Sequence, residues 1–91
     1  MTAIDQNIEN RARRELAQRL GMDADDIISI AVERFDFPDA ALGAPVEDEM
    51  SAQVITPGWR IRLEAGGATY EYRATHRQLR LVNFRGQNYR V

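Results

Sequence analysis

The sequence predicts an α+β fold in which one N-terminal amphipathic helix packs on a small antiparallel sheet of about four strands. Apolar residues recur at every fourth position near the amino terminus, which is typical of a helix with one buried stripe. The carboxy-terminal half instead alternates apolar and polar residues around a Gly-Gly pair, the pattern of a β-hairpin. The 91 residues are sufficient for one modest core, so residues 1–91 are expected to form a single domain.

Residues 4–20 carry the helical pattern. Thr2 or Asp5 is expected to cap the start of the helix, and Gly21 follows its end as a left-handed stop. The apolar stripe consists of Ile4, Ile8, Ala12, Leu16 and Leu20, with Ala17 beside it. Because this stripe is narrow, the helix is expected to lie on a sheet and to keep its arginines in water.

Residues 27–37 predict the first strand. Three of its apolar side chains share one parity and are expected to face the core: Ile28, Ile30 and Val32. Phe35 and Phe37 fall on the opposite parity. A β-bulge near Glu33 and Arg34 would return the phenylalanines to the core face; the alternative is a strand that is apolar on both faces near its end.

The carboxy-terminal half predicts a meander of three more strands, over 51–65, 68–75 and 79–84, followed by a tail over 85–91. Gly66-Gly67 is the turn of the first hairpin, and counting outward from it fixes the register. The facing pairs on the buried side are Ala65 with Ala68, Leu63 with Tyr70, Ile61 with Tyr72 and Trp59 with Ala74. On the solvent side the same register predicts an Arg62–Glu71 pair, and a turn or bulge is expected at Thr56-Pro57-Gly58.

Between the first two predicted strands lies the connection FDFPDAALGAPVEDEM, residues 35–50. Pro38 fixes its own φ, Asp39 is expected to accept hydrogen bonds from nearby backbone N–H groups, and Leu42 is expected to fill the end of the core. The favoured interpretation is a structural corner, because the connection has core anchors of its own; the alternative is a binding loop, because ordered connections of this length are often functional. The candidate partner-binding residues, with VEDEM expected to be exposed, are Asp39, Ala44, Pro45, Glu47, Asp48 and Glu49.

The charges are segregated along the chain. Residues 1–58 contain twelve acids and five arginines, whereas residues 59–91 contain seven arginines and two acids, and there is no lysine. The favoured interpretation is that the two halves face each other or water in the fold. The alternative is an anionic partner for the basic half.

The composition argues against several classes of site. Without cysteine the chain has no disulfide, no thiolate ligand and no thiol nucleophile, and its one histidine, His76, makes a zinc site implausible. No nucleophile, base and orienting group can be assembled from the sequence, so we expect no enzyme activity, no metal and no cofactor. A basic-then-apolar leader and a bilayer-length apolar run are both missing, so a cytoplasmic protein without membrane contact is expected.

The connection and the strand after it resemble a family of small bacterial proteins of unknown function. Its members share the run W/F-P-D-x-x-L-G-C-P, then A-Q-V-x-T-P-G-Y, then an apolar strand and a Y-x-Y strand. The matching residues here are Phe37, Pro38, Asp39, Leu42, Gly43, Pro45, Ala52, Gln53, Val54, Thr56, Pro57, Gly58, Tyr70 and Tyr72. Ala44 stands where members often have cysteine, so the disulfide that the resemblance implies is absent, which fits a reducing compartment. A weaker, fold-level similarity to PepSY-like domains implies a binding or inhibitory module.

The predicted function is that of a small non-catalytic module that binds a protein partner or associates with itself, through the connection or through a sheet edge. A protease inhibitor that presents GAPVEDEM as a rigid loop is a special case. The alternative is a nucleic-acid-binding domain, although the acidic pI of about 5.3 argues against it. Its basic patch would consist of Arg73, Arg77, Arg80 and Arg85, with aromatic residues interleaved.

Overall fold

The computed structural model describes residues 3–91 as one helix against one face of a five-stranded antiparallel sheet. In chain order the elements are α1 (Ala3–Leu20), a 3-10 turn (Ala24–Asp26), β1 (Ile28–Phe37), β2 (Thr56–Ala65), β3 (Ala68–Ala74), β4 (Leu79–Phe84) and β5 (Gln87–Arg90). Each strand pairs with the next one in the chain, so the sheet is a simple meander with β1 and β5 at its edges. The predicted α+β class is confirmed, with one strand more than expected.

The additional strand lies in the segment that was predicted to be a tail. Arg85 and Gly86 have φ angles of 52° and 84°, and these left-handed residues reverse the chain so that Leu81 pairs with Tyr89. The second strand is shorter than predicted because it begins at Thr56. Thr56-Pro57-Gly58 itself runs as a strand paired with the end of β1, so the turn expected there is wrong. The expected cap Thr2 lies outside the described residues.

The register of the β2–β3 hairpin agrees with the prediction. Gly66 and Gly67 have φ angles of 57° and 82°, the left-handed pair that a two-residue hairpin turn requires. All four predicted pairs of the buried side are present: Ala65 with Ala68, Leu63 with Tyr70, Ile61 with Tyr72 and Trp59 with Ala74. Two glycines therefore determine which side chains of both strands face the helix.

The main core lies between α1 and the face of the sheet that carries Trp59, here called the inner face. The helix contributes Ile8, Ala12, Leu16 and Ala17, while Ile4 at its start is largely exposed. The sheet and its flanks contribute Ile27, Trp59, Ile61, Leu63, Ala65, Tyr72, Ala74, Leu79, Leu81 and Phe84. The apolar stripe of α1 and the inner-face side chains of the central strands thus cover each other, as the two-layer prediction required.

β1 differs from its predicted pattern. The bulge lies at Ile30, between Ser29 and Ala31, and not near Glu33 and Arg34. Ile28 and Ile30 are therefore 58% and 50% exposed and do not face the core. The phenylalanines stay on the opposite parity from the core: Phe35 pairs with Gly58, and Phe37 pairs with Thr56. By this parity both rings lie on the outer face of the sheet, which is the face away from α1.

Two buried polar side chains of the sheet tie α1 in place. The indole N–H of Trp59 donates a hydrogen bond to Asp5 Oδ1 at 2.7 Å, and the Tyr72 hydroxyl donates to Glu15 Oε1 at 2.7 Å. Burial and the adjacent Glu15 carboxylate raise the pKa of Tyr72, so the hydroxyl stays protonated as the donor. The same carboxylate accepts two hydrogen bonds from Arg19 and raises its pKa. These hydrogen bonds fix the position of α1 along its own axis, because apolar packing alone specifies that position less well.

The position of Trp59 leads to a fluorescence and stability prediction. Its side chain is buried under α1, so the native emission should be blue-shifted and should move to the red on unfolding. Trp59→Ala should lower the free energy of unfolding by about 3–5 kcal/mol, because it leaves a cavity and removes the hydrogen bond from the indole to Asp5. Trp59→Phe keeps most of the ring volume and should cost less. A native emission like that of tryptophan in water would contradict this packing.

Candidate functional site

The segment between β1 and β2, residues 38–55, lies over part of the outer face of the sheet and has a small apolar cluster of its own. From here on the connection means this segment, in place of the residues 35–50 expected from the sequence. Phe37, Ala41, Leu42 and Ala44 are all buried, yet none of them belongs to the core under α1. Gly58 makes room for this cluster: a Cβ at that position would stand 3.2 Å from the Phe37 ring and 2.3 Å from the Ala74 carbonyl oxygen. The connection is therefore a third layer of the structure, packed against the sheet and not extended into solvent.

Four side chains from the carboxy-terminal half hold the connection on the sheet. Each donates a hydrogen bond to one of its backbone carbonyls, at N···O distances of 2.9 to 3.2 Å. The pairs are Arg73 with Leu42, Gln78 with Ala40, Arg80 with Ala44 and Asn88 with Pro45. Because a covered backbone must find partners for its polar groups, these donors replace the strand neighbour that the connection lacks.

A local turn prepares the connection for these contacts. As expected, the Asp39 carboxylate accepts hydrogen bonds from backbone N–H groups, from Ala41 at 3.0 Å and from Gly43 at 2.9 Å. Leu42 and Gly43 follow with φ angles of 59° and 65°, which direct the Leu42 carbonyl toward Arg73. A Cβ on Gly43 would stand 3.0 Å from the Arg73 guanidinium, so glycine suits both the backbone and the contact.

Arg80 and Glu49 form the strongest link between the connection and the sheet. Arg80 is only 1% exposed, and its two terminal nitrogens reach the two Glu49 oxygens at 2.5 and 2.6 Å. Its Nε donates to Gln78 Oε1 at 2.7 Å, so every side of the guanidinium plane has an acceptor. The hydrogen bonds from Arg80, with a further one from the Val46 N–H, lower the pKa of Glu49 to about 2. We call this pair the Arg80–Glu49 clamp.

The candidate residues of the connection divide into internal and exposed ones. Ala44 is buried and Glu49 is held in the clamp, so neither side chain faces a partner, contrary to the expectation that VEDEM is exposed throughout. The carboxylate of Asp39 is used in its own turn. The candidates that remain at the surface are Pro45, Glu47 and Asp48.

Sequence reasoning missed the most exposed apolar side chains of the connection. Met50 is 95% exposed, Val54 53% and Ile55 73%, on a segment without helix or strand. The sequence predicts that residues 51–55 belong to a strand, because the apolar Val54 and Ile55 directly precede β2. The signal that distinguishes the two is Pro57, whose missing N–H suits the beginning of a strand better than its middle.

The predicted basic patch is not one surface. Arg73 and Arg80 lie beneath the connection, where their guanidinium groups are occupied. Arg77 is exposed in the turn before β4 and Arg85 in the turn after it. These two positions are separated by the length of a six-residue strand, about 20 Å.

The ion pairs of the outer face also differ from the prediction. Arg62 pairs with Glu33 of β1 at 2.9 Å and not with Glu71, which pairs with Arg73 at 2.7 Å. Glu33 lies beside Arg60 as well, at 3.7 Å. The two Glu33 pairs and the clamp join acids of residues 1–58 to arginines of residues 59–91, in agreement with the interpretation that the segregated charges face each other in the fold.

Two open clefts lie at an edge and at an end of the sheet. A cleft of about 580 Å³ separates Pro45 and Glu47 from β5. Another, of about 200 Å³, lies where the His76 ring meets the Trp59 ring edge-on, with centroids 5.2 Å apart. Within residues 3–91 no three side chains of the metal-binding types come together, and no helix is long and apolar enough to cross a membrane. Neither cleft presents a set of converging catalytic groups.

The clamp predicts that, of three neighbouring acidic residues, only Glu49 contributes substantially to the stability of the fold. Glu49→Gln should lower the free energy of unfolding by about 3 kcal/mol, because it leaves the buried Arg80 without its counter-charge. Glu47→Gln and Asp48→Asn make the matched change at exposed positions and should stay within about 0.5 kcal/mol of the wild type. Urea unfolding followed by circular dichroism compares the three. Equal stabilities would contradict the clamp.

The lowered pKa of Glu49 also predicts a pH dependence. Its folded pKa, about 2, lies below the ordinary 4.5, so its stabilisation is complete above pH 4.5 and is lost as the pH falls toward 2. The stability difference between the wild type and Glu49→Gln should therefore be larger at about pH 7 than at about pH 3. Urea titrations at both pH values measure it, and the Glu47→Gln variant controls for the other carboxylates. A difference that is independent of pH would exclude this role.

Comparison with known proteins places the chain in a family. Residues 9–82 match the family model described as a domain of unknown function (DUF8738). The match runs from the first half of α1 into β4 and so includes the connection and the clamp. No curated protein and no solved structure matches the chain. The chain therefore belongs to DUF8738, a family whose function is uncharacterised.

Proposed function

We propose that the protein is a small non-catalytic interaction module that binds a protein partner through residues 47–55 of the connection. We call these residues the presenting segment. The observation that carries the proposal is the combination of exposed apolar side chains with a fixed backbone: Met50, Val54 and Ile55 face solvent on a segment that is held at several points.

The concentration of apolar side chains distinguishes this segment from the rest of the described surface. Single exposed hydrophobic residues are normal on a soluble protein. Here three large ones fall within six residues, and Met50 is the most exposed of all the large hydrophobic side chains in residues 3–91. Such clusters are typical of the anchors of protein–protein interfaces, where they enter pockets of the partner.

The backbone of the presenting segment is fixed although it has no regular secondary structure. The clamp holds Glu49, the Ala40 N–H donates to the Ala52 carbonyl at 3.0 Å, and the Thr56 hydroxyl donates to the Val54 carbonyl at 3.0 Å. A segment that is ordered before binding loses little conformational entropy when it binds. A larger share of the free energy gained by burying its exposed side chains is therefore available for affinity than in a flexible loop.

The charges beside these side chains indicate what kind of surface fits them. Glu47 and Asp48 are exposed at the start of the segment and form no ion pair within residues 3–91. An apolar pocket with a basic rim would complement both the acids and the apolar residues. A second copy of the chain is a less suitable partner, because Arg73 and Arg80 are already used inside the fold.

The test compares two sets of matched surface substitutions. In the first variant, Met50, Val54 and Ile55 are replaced by serine; in the control, Ile28 and Ile30 on the edge of β1 are replaced by serine. All five side chains are at least half exposed, so both variants should unfold close to the wild type. Each protein is immobilised and incubated with a lysate of the source organism. Quantitative mass spectrometry then compares the amounts of the proteins that the wild type and each variant capture. Light scattering detects self-association.

We expect a specific protein that the wild type and the control retain and that the triple variant loses by at least about tenfold. A partner retained equally by the triple variant would exclude the presenting segment as the contact surface. A wild-type dimer that the triple variant abolishes would replace the separate partner by a second copy.

A further inference from the structure

Met50 occupies an unusual position within the presenting segment. Its side chain is almost completely exposed, whereas the residues on both sides of it are anchored. On one side Glu49 is bound by both terminal nitrogens of Arg80, and on the other the carbonyl of Ala52 accepts from the Ala40 N–H. The chain is therefore held one residue before Met50, through the Glu49 side chain, and two residues after it, at the Ala52 carbonyl.

The backbone around Met50 has none of the features that would keep it out of a protease cleft. The left-handed residues of the connection end at Asp48, and from Glu49 to Ile55 the chain has no positive φ and no helix or turn. Serine proteases bind a substrate segment in extended form beside an edge of the enzyme, with one side chain in a specificity pocket. A flexible, unbranched methionine suits an apolar pocket of this kind.

We infer that the protein is a reversible inhibitor of serine proteases with an apolar specificity pocket, with Met50 as the side chain that enters the pocket. The inference rests on the proposed function, because it gives the presenting segment a partner class. The anchors on both sides provide the inhibitory effect. They hold the segment in its bound shape, so binding is tight, and they keep the Met50 and Ser51 ends together if the amide is hydrolysed.

The acidic residues before Met50 are consistent with this role. Glu47 and Asp48 precede the pocket-entering residue and remain exposed, so they contact the rim of the cleft and select enzymes with a basic rim. Pro45 lies farther back, where its fixed φ and the Asn88 bond to its carbonyl stiffen the approach to the segment. Each of these residues affects the affinity for the protease without contacting the Met50–Ser51 amide.

The experiment measures inhibition of chymotrypsin and subtilisin, which accept apolar side chains, and of trypsin, which requires a basic one. The full chain is titrated into each enzyme, and the residual activity on a small chromogenic substrate gives the inhibition constant. We expect inhibition of chymotrypsin or subtilisin but not of trypsin. Met50→Ala should weaken it by at least about tenfold, and Met50→Arg should transfer it to trypsin. Ile28→Ser, at an exposed apolar side chain on the edge of β1 and outside the presenting segment, should leave it nearly unchanged.

Mass spectrometry of the mixtures adds a second readout. Any slow hydrolysis should add one water across Met50–Ser51, and in Arg80→Lys, which keeps the charge but loses the two-point bond to Glu49, cleavage there should be faster. If none of the enzymes is inhibited, or if Met50→Ala and Met50→Arg inhibit like the wild type, the inference is wrong. Loss of lysate capture in the triple serine variant would still support the proposed function in that case, whereas failure of both experiments would exclude both.

Discussion

The buried guanidinium of Arg80 is the constraint on which the position of the connection depends. Removing a charge from water is costly unless a counter-charge and hydrogen bonds replace the hydration. In this protein the replacements are the Glu49 carboxylate, the Ala44 carbonyl and the Gln78 side chain, two of which belong to the connection. If the connection lifted away, Arg80 would return to water, but Phe37 and Leu42 would be exposed with it. The burial of these apolar side chains therefore favours the closed arrangement, and the hydrogen bonds of Arg80 fix where the connection lies in it.

The geometry of arginine explains how so few residues hold a long connection. A guanidinium has donors on three sides of a plane, so Arg80 binds a carboxylate, a carbonyl and an amide at once. Arg73 likewise reaches both Glu71 and the Leu42 carbonyl. A lysine has one compact charge and cannot reproduce either arrangement. Two of the seven arginines in residues 59–91 thus attach the connection, which is acidic, to the sheet.

The parts of the fold that follow from local patterns could be predicted, and the parts that depend on distant pairs could not. The α1 stripe and the Gly66-Gly67 turn each specify their geometry within a few residues, so the helix and the β2–β3 register agree with expectation. The Asp39 turn is local in the same sense. Arg80 and Glu49 are 31 residues apart and follow no periodicity, so the sequence predicts Glu49 to be an exposed acid. The bulge lies at Ile30 and not near Glu33 and Arg34; the core contains Ile27 and is flanked by the predicted Val32, whereas Ile28 and Ile30 are exposed.

The sheet edges provide the remaining reason for assigning binding to the connection. An unpaired edge strand is the usual alternative site for a partner, and β1 is ten residues long. Yet its edge has a bulge at Ile30 and charged residues at Glu33, Arg34 and Asp36, the devices by which proteins prevent edge pairing. β5, at the other edge, has only four residues. The presenting segment instead combines a fixed backbone with apolar side chains in water, and this contrast with the edges supports the proposal that a partner covers Met50.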